Sequence, residues 1–135
     1  MKYLVEKGAN IEVTGPNRQT CLSLAAMIGN FEMVEFLLEA GAKQLKSDKY
    51  RKTPLIHAIQ NGHLKIANIL LQKGALFNKG DSSDNSPIHY AAGYGYYEMI
   101  KLLEKAGADI NSVNSWNMTP ITIALLKNHF RCVNE

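Results

Sequence analysis

Residues 86–111 read SPIHYAAGYGYYEMIKLLEKAGADIN, and this stretch decides the fold because related copies of it recur along the chain. The copies read TPLIHAIQNGHLKIANILLQKGALFN at 53–78 and TCLSLAAMIGNFEMVEFLLEAGA at 20–42. A Gly-Ala pair follows the apolar part of each copy, and these pairs lie 33 residues apart, at Gly8, Gly41, Gly74 and Gly107. A fixed interval of this length predicts a repeat protein, in which each copy packs against its neighbours.

Each copy predicts two short helices. A hydroxyl residue followed by proline, as in Ser86-Pro87, is typical of a helix N-cap with proline in the first turn. Gly95 is suited to end this helix, and an amphipathic segment then runs to the next Gly-Ala pair. The turn-forming residues beyond it predict an extended loop or a β-hairpin that leads to the next copy.

These residues resemble the ankyrin repeat, which shares this period and a Thr-Pro-Leu-His-x-Ala signature. The resemblance covers the whole chain and implies an all-α solenoid of stacked helix-turn-helix repeats joined by short β-hairpin loops. On this alignment residues 1–135 form a single domain, with whole repeats at 15–47, 48–80 and 81–113 and partial repeats at 1–14 and 114–135. Because both partial repeats stop within a helix pair, we expect the chain to be a fragment of a longer array.

Composition and charge exclude several classes of protein. With 46% hydrophobic residues and a net charge of +3, the chain has the profile of an ordinary soluble domain and lacks the strong basic excess of nucleic-acid-binding proteins. No stretch approaches the length of a membrane span. Cys21 and Cys132 have no spacing typical of a disulfide framework or a zinc site, which favours a reducing compartment. We therefore expect a cytoplasmic protein, with the nucleus or cytoskeleton left open, that contacts neither membrane nor nucleic acid.

The sequence contains no recognisable catalytic or metal-binding motif. The histidines lack acidic or thiol partners at metal-ligand spacing, and His57 stands one position later than the signature histidine, which His89 represents. For His89 the resemblance implies a hydrogen-bonding role between neighbouring repeats. Gly93-Tyr94-Gly95 lacks the third glycine of a dinucleotide fingerprint. We predict a non-enzymatic chain with no cofactor, no metal and no small-molecule substrate.

Functional residues are expected at positions that differ between copies, because a rigid frame presents these to partners. The resemblance implies that loop tips and the exposed face of each first helix form a concave binding surface. The protein-binding residues predicted on it are Trp116, Tyr50, Tyr94, Lys49, Arg51, Lys52, Gln60, Asn61, Asn85 and Met118. Other residues at equivalent positions are Met27, Ile28, Ser82, Ser83, Ser115 and Lys127.

Two features of this surface each allow two interpretations. Trp116 is the sole tryptophan and stands at a tip position, where it either anchors a partner or folds back over a neighbouring loop. The segment KQLKSDKYRK at 43–52 holds five basic side chains against one acidic one. It either complements an acidic partner or is a solvated loop.

The sequence thus predicts a protein-interaction scaffold that binds a protein or peptide partner, with an acidic surface as the natural complement. Two alternatives belong to other classes. The array could be a regulatory segment of a larger enzyme, such as a ubiquitin ligase or a kinase, or of a channel. It could also be a structural component of a cytoskeletal or ciliary assembly.

Overall fold

The computed structural model describes residues 14–44 and 46–127. Much of the two predicted partial repeats, together with Cys132 and His129, lies outside the described residues. Within these ranges the chain forms seven α-helices, which are α1 (Cys21–Ile28), α2 (Phe31–Glu39), α3 (Pro54–Gln60), α4 (Leu64–Gln72), α5 (Pro87–Tyr94), α6 (Tyr97–Ala106) and α7 (Pro120–Leu126).

The first helix of each pair begins where the sequence predicts a cap. The Thr53 hydroxyl accepts a hydrogen bond from the backbone N–H of Ile56, and Thr20 and Thr119 cap α1 and α7 in the same way. At α5 the backbone N–H of Ser86 donates to Nδ1 of His89, 3.2 Å away. These bonds satisfy backbone groups that have no partner within the helix, so each first helix starts at a fixed residue.

The helices pack in two rows. Helices α1, α3, α5 and α7 lie side by side in the first-helix row, and α2, α4 and α6 form the second-helix row against it. Aliphatic side chains fill the space between the rows, and those of Leu22, Leu37, Leu55, Leu70, Ile88 and Leu103 are at most 1% exposed. Because each pair buries its apolar face against the pairs beside it, the predicted all-α solenoid is confirmed.

A tight turn precedes each first helix at the same repeat position. We name these turns tip 1 (residues 15–19), tip 2 (48–52), tip 3 (81–85) and tip 4 (114–118). In each tip the N–H of the first residue donates to the carbonyl of the fifth, over 3.0 Å from Asp48 to Lys52 in tip 2. The loops predicted as β-hairpins are therefore hydrogen-bonded turns, and residues 14–44 and 46–127 contain no β-strand.

Backbone hydrogen bonds also join the tips to one another. Lys49 in tip 2 donates to the carbonyl of Asn17 at 2.8 Å, Ser82 donates to Tyr50 at 3.0 Å, and Ser115 donates to Ser83 at 2.9 Å. The tips therefore form a connected edge alongside the first-helix row. The longest described helix, α6, has 10 residues, and none of the helices in this part of the chain could cross a bilayer.

Candidate interaction surface

Asp48 organises tip 2 from a buried position. Its side chain is 1% exposed, and Oδ1 accepts hydrogen bonds from the backbone N–H groups of Tyr50 and Lys52, both at 2.9 Å. Oδ2 lies 2.8 Å from Nε2 of His57 in α3. One carboxylate thus fixes the backbone of the turn and ties it to the first helix that follows.

Tip 3 repeats this arrangement with a different partner. Oδ1 of Asp81 accepts from the N–H groups of Ser83 at 2.8 Å and Asn85 at 3.0 Å. Oδ2 accepts a hydrogen bond from the hydroxyl of Tyr90, which occupies in α5 the position that His57 has in α3. In both tips, the side chain nine residues after the aspartate forms a hydrogen bond with its Oδ2.

Tips 4 and 1 depart from this pattern. In tip 4, Oδ1 of Asn114 accepts from Trp116 at 2.9 Å and Met118 at 3.0 Å, while its Nδ2 donates to Oδ1 of Asn85 at 2.8 Å. Tip 1 has Gly15 at this position, which has no side chain that could accept from the backbone of the turn. The side chain that accepts from the backbone of the turn is therefore a carboxylate in tips 2 and 3 and a neutral amide in tip 4, and the first position of tip 1 offers none.

Burial sets the protonation of the groups beneath the tips. Desolvation lowers the pKa of His57, and this exceeds the rise caused by its hydrogen bond to Asp48 and by the negative charge of that residue. A neutral His57 that faces a carboxylate through Nε2 carries its proton on that nitrogen and donates it. Burial also lowers the pKa of His89, whose Nε2 lies 2.9 Å from the carbonyl oxygen of Met118. His89 thus makes the contact between neighbouring repeats that the resemblance implies.

A groove runs between the tips and the first-helix row. Its middle is lined by Tyr50, Lys52, Gln60 and Asn61, and the next hollow along it by Tyr50, Lys52 and Tyr90. The half-buried Lys52 extends into the groove, with its ammonium 3.2 Å from Oε1 of Gln60 and 5.8 Å from the centroid of the Tyr90 ring. Within the described ranges no carboxylate lies within 4.0 Å of this ammonium.

All ten residues predicted to bind protein lie on the tips or along the first-helix row. Trp116, which the sequence leaves as either exposed or folded back, is 64% exposed, while Tyr50 and Tyr94 are 51% and 47% exposed. The exposed polar members are Lys49, Arg51 and Asn61, and the half-buried members are Lys52, Gln60, Asn85 and Met118.

Two of these residues also serve the fold. The side-chain amide of Asn61 donates to the carbonyl oxygen of His57 at 2.8 Å, at the end of α3. Oδ1 of Asn85 accepts the hydrogen bond from Asn114 that joins tip 3 to tip 4. Some of the hydrogen-bonding groups of Asn61 and Asn85 are therefore already paired within the protein.

Sequence reasoning missed the residues beneath the tips. Asp48, Asp81 and Asn114 are buried polar residues spaced 33 apart, so the repeat interval that revealed the helices also marks them. Their partners, His57 and Tyr90, stand at one repeat position but share no chemistry that a search for identical residues would detect. The signal available in the sequence is that this aligned column holds an ionisable residue in the two repeats whose turn begins with aspartate, and an apolar residue, Leu24 or Ile123, in the other two.

The polar groups beneath the tips are engaged in hydrogen bonds within the fold. The His57–Asp48 pair is buried, and both partners are committed to holding the turn. In the described part of the chain, no three histidine, cysteine, aspartate or glutamate side chains gather as metal ligands. The exposed groups of the surface are aromatic rings, amides and ammonium groups, which serve recognition.

Two family models match this sequence. A model of ankyrin repeats in three copies matches residues 1–81, and a model of ankyrin repeats in many copies matches residues 70–124. No curated protein matches the chain. The matched residues include the four tips, helices α1 to α6 and the greater part of α7.

Proposed function

The chain belongs to the ankyrin repeat family, and on this premise we propose that it binds a protein or peptide partner through tips 2 to 4 and the groove beside them. Ankyrin repeats are generally protein-interaction modules and are not catalytic. The binding surface that we propose contains the ten predicted residues. No chemical step is assigned to it.

The observation that carries the proposal is the exposure of three large aromatic side chains on one surface. Trp116 is 64% exposed, Tyr50 51% and Tyr94 47%, although burial of such rings against a partner is strongly favourable. The backbone N–H groups of Trp116 and Tyr50 donate hydrogen bonds to Oδ1 of Asn114 and of Asp48, which hold the tips that present these rings. A surface held in place before binding loses little conformational entropy when a partner docks.

The charge of tip 2 supports a partner with an acidic surface. Lys49 and Arg51 are exposed at the turn, and the half-buried Lys52 extends into the groove. Exposed charges of one sign steer a partner of opposite sign and raise its association rate.

We also propose a cytoplasmic setting for this binding. Cys21 is a free, half-buried cysteine that packs against the hydrophobic core. A thiol in this position is typical of proteins in a reducing compartment, where it packs as a small hydrophobic group.

A comparison of surface variants tests the proposal. The full chain, a Trp116→Ala/Tyr50→Ala variant and a Leu76→Ala control would each serve as bait for quantitative affinity purification. Leu76 is 50% exposed and lies in the loop after α4, outside the tips and the first-helix row. Since loss of one anchoring aromatic costs about 2 kcal/mol, or about thirtyfold in affinity, we expect partners retained by the control to fall by at least that factor in the variant that lacks both rings. Equal recovery by all three proteins would contradict the proposal.

A further inference from the structure

The groove changes chemistry along its length. At the end formed by α1, Leu24 is 37% exposed and Ile28 is 74% exposed. At the opposite end, formed by tip 4 and α7, Trp116 is 64% exposed and Leu126 is 68% exposed. We name these the α1 end and the tip 4 end. Lys52 lies between the two apolar ends, beside α3.

Lys52 provides a positioned positive charge. Gln60 accepts a hydrogen bond from its ammonium, and the Tyr90 ring lies 5.8 Å from the same group, so the side chain is held across the groove. The Asp48 carboxylate, which accepts from the backbone N–H of Lys52, is turned toward the tip backbone and His57. An ammonium that is half-buried and has no described carboxylate within 4.0 Å can bind an incoming carboxylate more strongly than a fully solvated lysine can.

The other basic groups of tip 2 have a different role. Lys49 and Arg51 are exposed, and the Lys49 ammonium lies over the Tyr50 ring, 5.9 Å from its centroid. Exposed charges are screened within about 10 Å at moderate salt, so they attract an acidic segment without fixing its register. Among these three basic residues, Lys52 is therefore the one whose ammonium is positioned within the groove.

We infer that the partner segment is an extended peptide that places a carboxylate on the Lys52 ammonium and an apolar side chain at each end of the groove. This inference rests on the proposed function and names the chemistry of the partner. Packed helices lie about 8–10 Å apart, and an extended chain advances about 3.3–3.6 Å per residue. Lys52 is one repeat from the α1 end and two repeats from the tip 4 end.

These distances define the spacing of the peptide. One repeat corresponds to about two to three residues of extended chain and two repeats to about five. The segment therefore carries an acidic residue with one apolar residue about two to three positions to one side and another about five positions to the other side. The apolar residue at the longer spacing contacts Trp116.

Selection of peptides from a random phage-displayed library of 14-residue segments tests this inference. The full chain would be the target, and the peptides selected would be measured against Lys52→Met and Lys105→Met. The first variant keeps a long side chain beside Tyr90 but removes the charge. Lys105 is an exposed lysine of α6 in the second-helix row, so its substitution makes the same change of charge away from the groove.

We expect the enriched peptides to share the spacing given above and to bind Lys52→Met about tenfold more weakly than the unchanged chain or Lys105→Met. Replacement of the acidic residue of the best peptide by its amide should cost about tenfold against the unchanged chain and nothing further against Lys52→Met. This coupling distinguishes a direct contact from a general effect of charge. Far-ultraviolet circular dichroism would verify that each variant is folded.

The remaining outcomes separate the inference from the proposed function. Peptides that need Trp116 and Tyr50 but bind Lys52→Met as tightly as the unchanged chain would overturn the inference and leave the proposed function intact. A selection that enriches no peptide would also overturn it, because the proposed function permits a folded partner. Peptides that bind the Trp116→Ala/Tyr50→Ala and Lys52→Met variants as well as the unchanged chain would overturn both.

Discussion

Tips 2 and 3 have the same backbone turn but hold it with different side-chain pairs. The backbone hydrogen bond from the first to the fifth residue measures 3.0 Å in tip 2 and 3.1 Å in tip 3. The fourth residue has nearly the same φ in both, 62° at Arg51 and 60° at Asp84. The aspartate that begins each turn is buried in both. Its partner is His57 in tip 2 and Tyr90 in tip 3. Tips 2 and 3 therefore share a buried aspartate as acceptor, while the side chain that pairs with it differs.

This difference gives the two tips different responses to pH. Burial and hydrogen bonding to Asp81 raise the pKa of Tyr90 above its usual range, so its hydroxyl keeps its proton at any physiological pH. Burial lowers the pKa of His57, so it is neutral at neutral pH and gains a proton only as pH falls below the range of an ordinary histidine. Among the four described tips, tip 2 is the one whose buried aspartate pairs with a histidine. The same tip contains Lys52, which extends into the groove.

We expect removal of the Asp48 carboxylate from tip 2 to have the largest effect on stability. We expect Asp48→Ala to lower the free energy of unfolding by about 3 kcal/mol, because it leaves two backbone N–H groups and the His57 ring without an acceptor. Asn114→Ala in tip 4 removes neutral hydrogen bonds and should cost about 1 kcal/mol. Urea unfolding at neutral pH measures both values. Equal losses would show that the charge of Asp48 contributes nothing to the stability of tip 2.

Asp48→Asn is the matched control for this prediction. Its side-chain oxygen can still accept from Tyr50 and Lys52, as that of Asn114 does in tip 4, but the charge is lost. We expect a loss between those of the two alanine variants. Amide hydrogen exchange at Tyr50 and Lys52 reports whether the turn itself has opened.

Most of the fold could be predicted from the sequence because it depends on local features that recur. Thr53 followed by Pro54 determines where α3 begins, and Gly95 adopts a left-handed conformation at the end of α5, with φ of 72°. These features act within one turn of chain, so a single copy is enough to recognise them. Repetition then determines how the copies stack.

The site could be predicted only in part, since its geometry depends on contacts between segments. The sequence indicates which residues occupy the tips, but the exposure of Trp116 depends on side-chain torsions that no local pattern determines. It also shows His57 one position away from the signature histidine, without revealing that this shift places the ring 2.8 Å from Asp48. The position of Lys52 in the groove likewise depends on Gln60 and Tyr90, which come from different repeats.

Replacement of Asp48 and His57 by the residues that stand at the same positions in tip 4 tests whether the two side chains stabilise each other. His57→Ile alone leaves one oxygen of the buried Asp48 carboxylate without a partner, and we expect it to cost about 2 kcal/mol of unfolding free energy. The double variant Asp48→Asn/His57→Ile reproduces Asn114 and Ile123 of tip 4. It should recover most of that loss, because neither partner of the pair remains buried alone. Additive losses in this double-mutant cycle would indicate that the two side chains are not coupled.

The pH dependence of stability separates tip 2 from tip 3 by a smaller effect. The pKa of His57 in the folded chain lies below the ordinary value of 6.5, so the unfolded chain binds the proton first as pH falls. Stability is therefore full above this pH and declines as pH falls toward the folded pKa, by at most about 1.4 kcal/mol per pH unit for one histidine. We expect urea midpoints between pH 7.5 and 5.5 to fall less in Asp48→Asn/His57→Ile than in the unchanged chain. His89, whose pKa is also lowered by burial, contributes equally to both proteins, so parallel profiles would exclude His57 as a source of the decline.

Tyr90→Phe is the smallest change and acts on tip 3 alone. It removes the hydroxyl that donates to Asp81 but keeps the ring beside Lys52, so we expect a loss of about 1 kcal/mol in the free energy of unfolding with no change in its pH dependence between pH 7.5 and 5.5. The loss is smaller than for His57→Ile because Tyr90 is half-buried, whereas His57 is buried. Urea unfolding at several pH values measures both quantities, with Tyr94→Phe, an exposed tyrosine of the same helix, as control. A pH dependence altered by Tyr90→Phe would mean that the phenol also takes part in titration near neutrality, and the contrast between the two tips would then be lost.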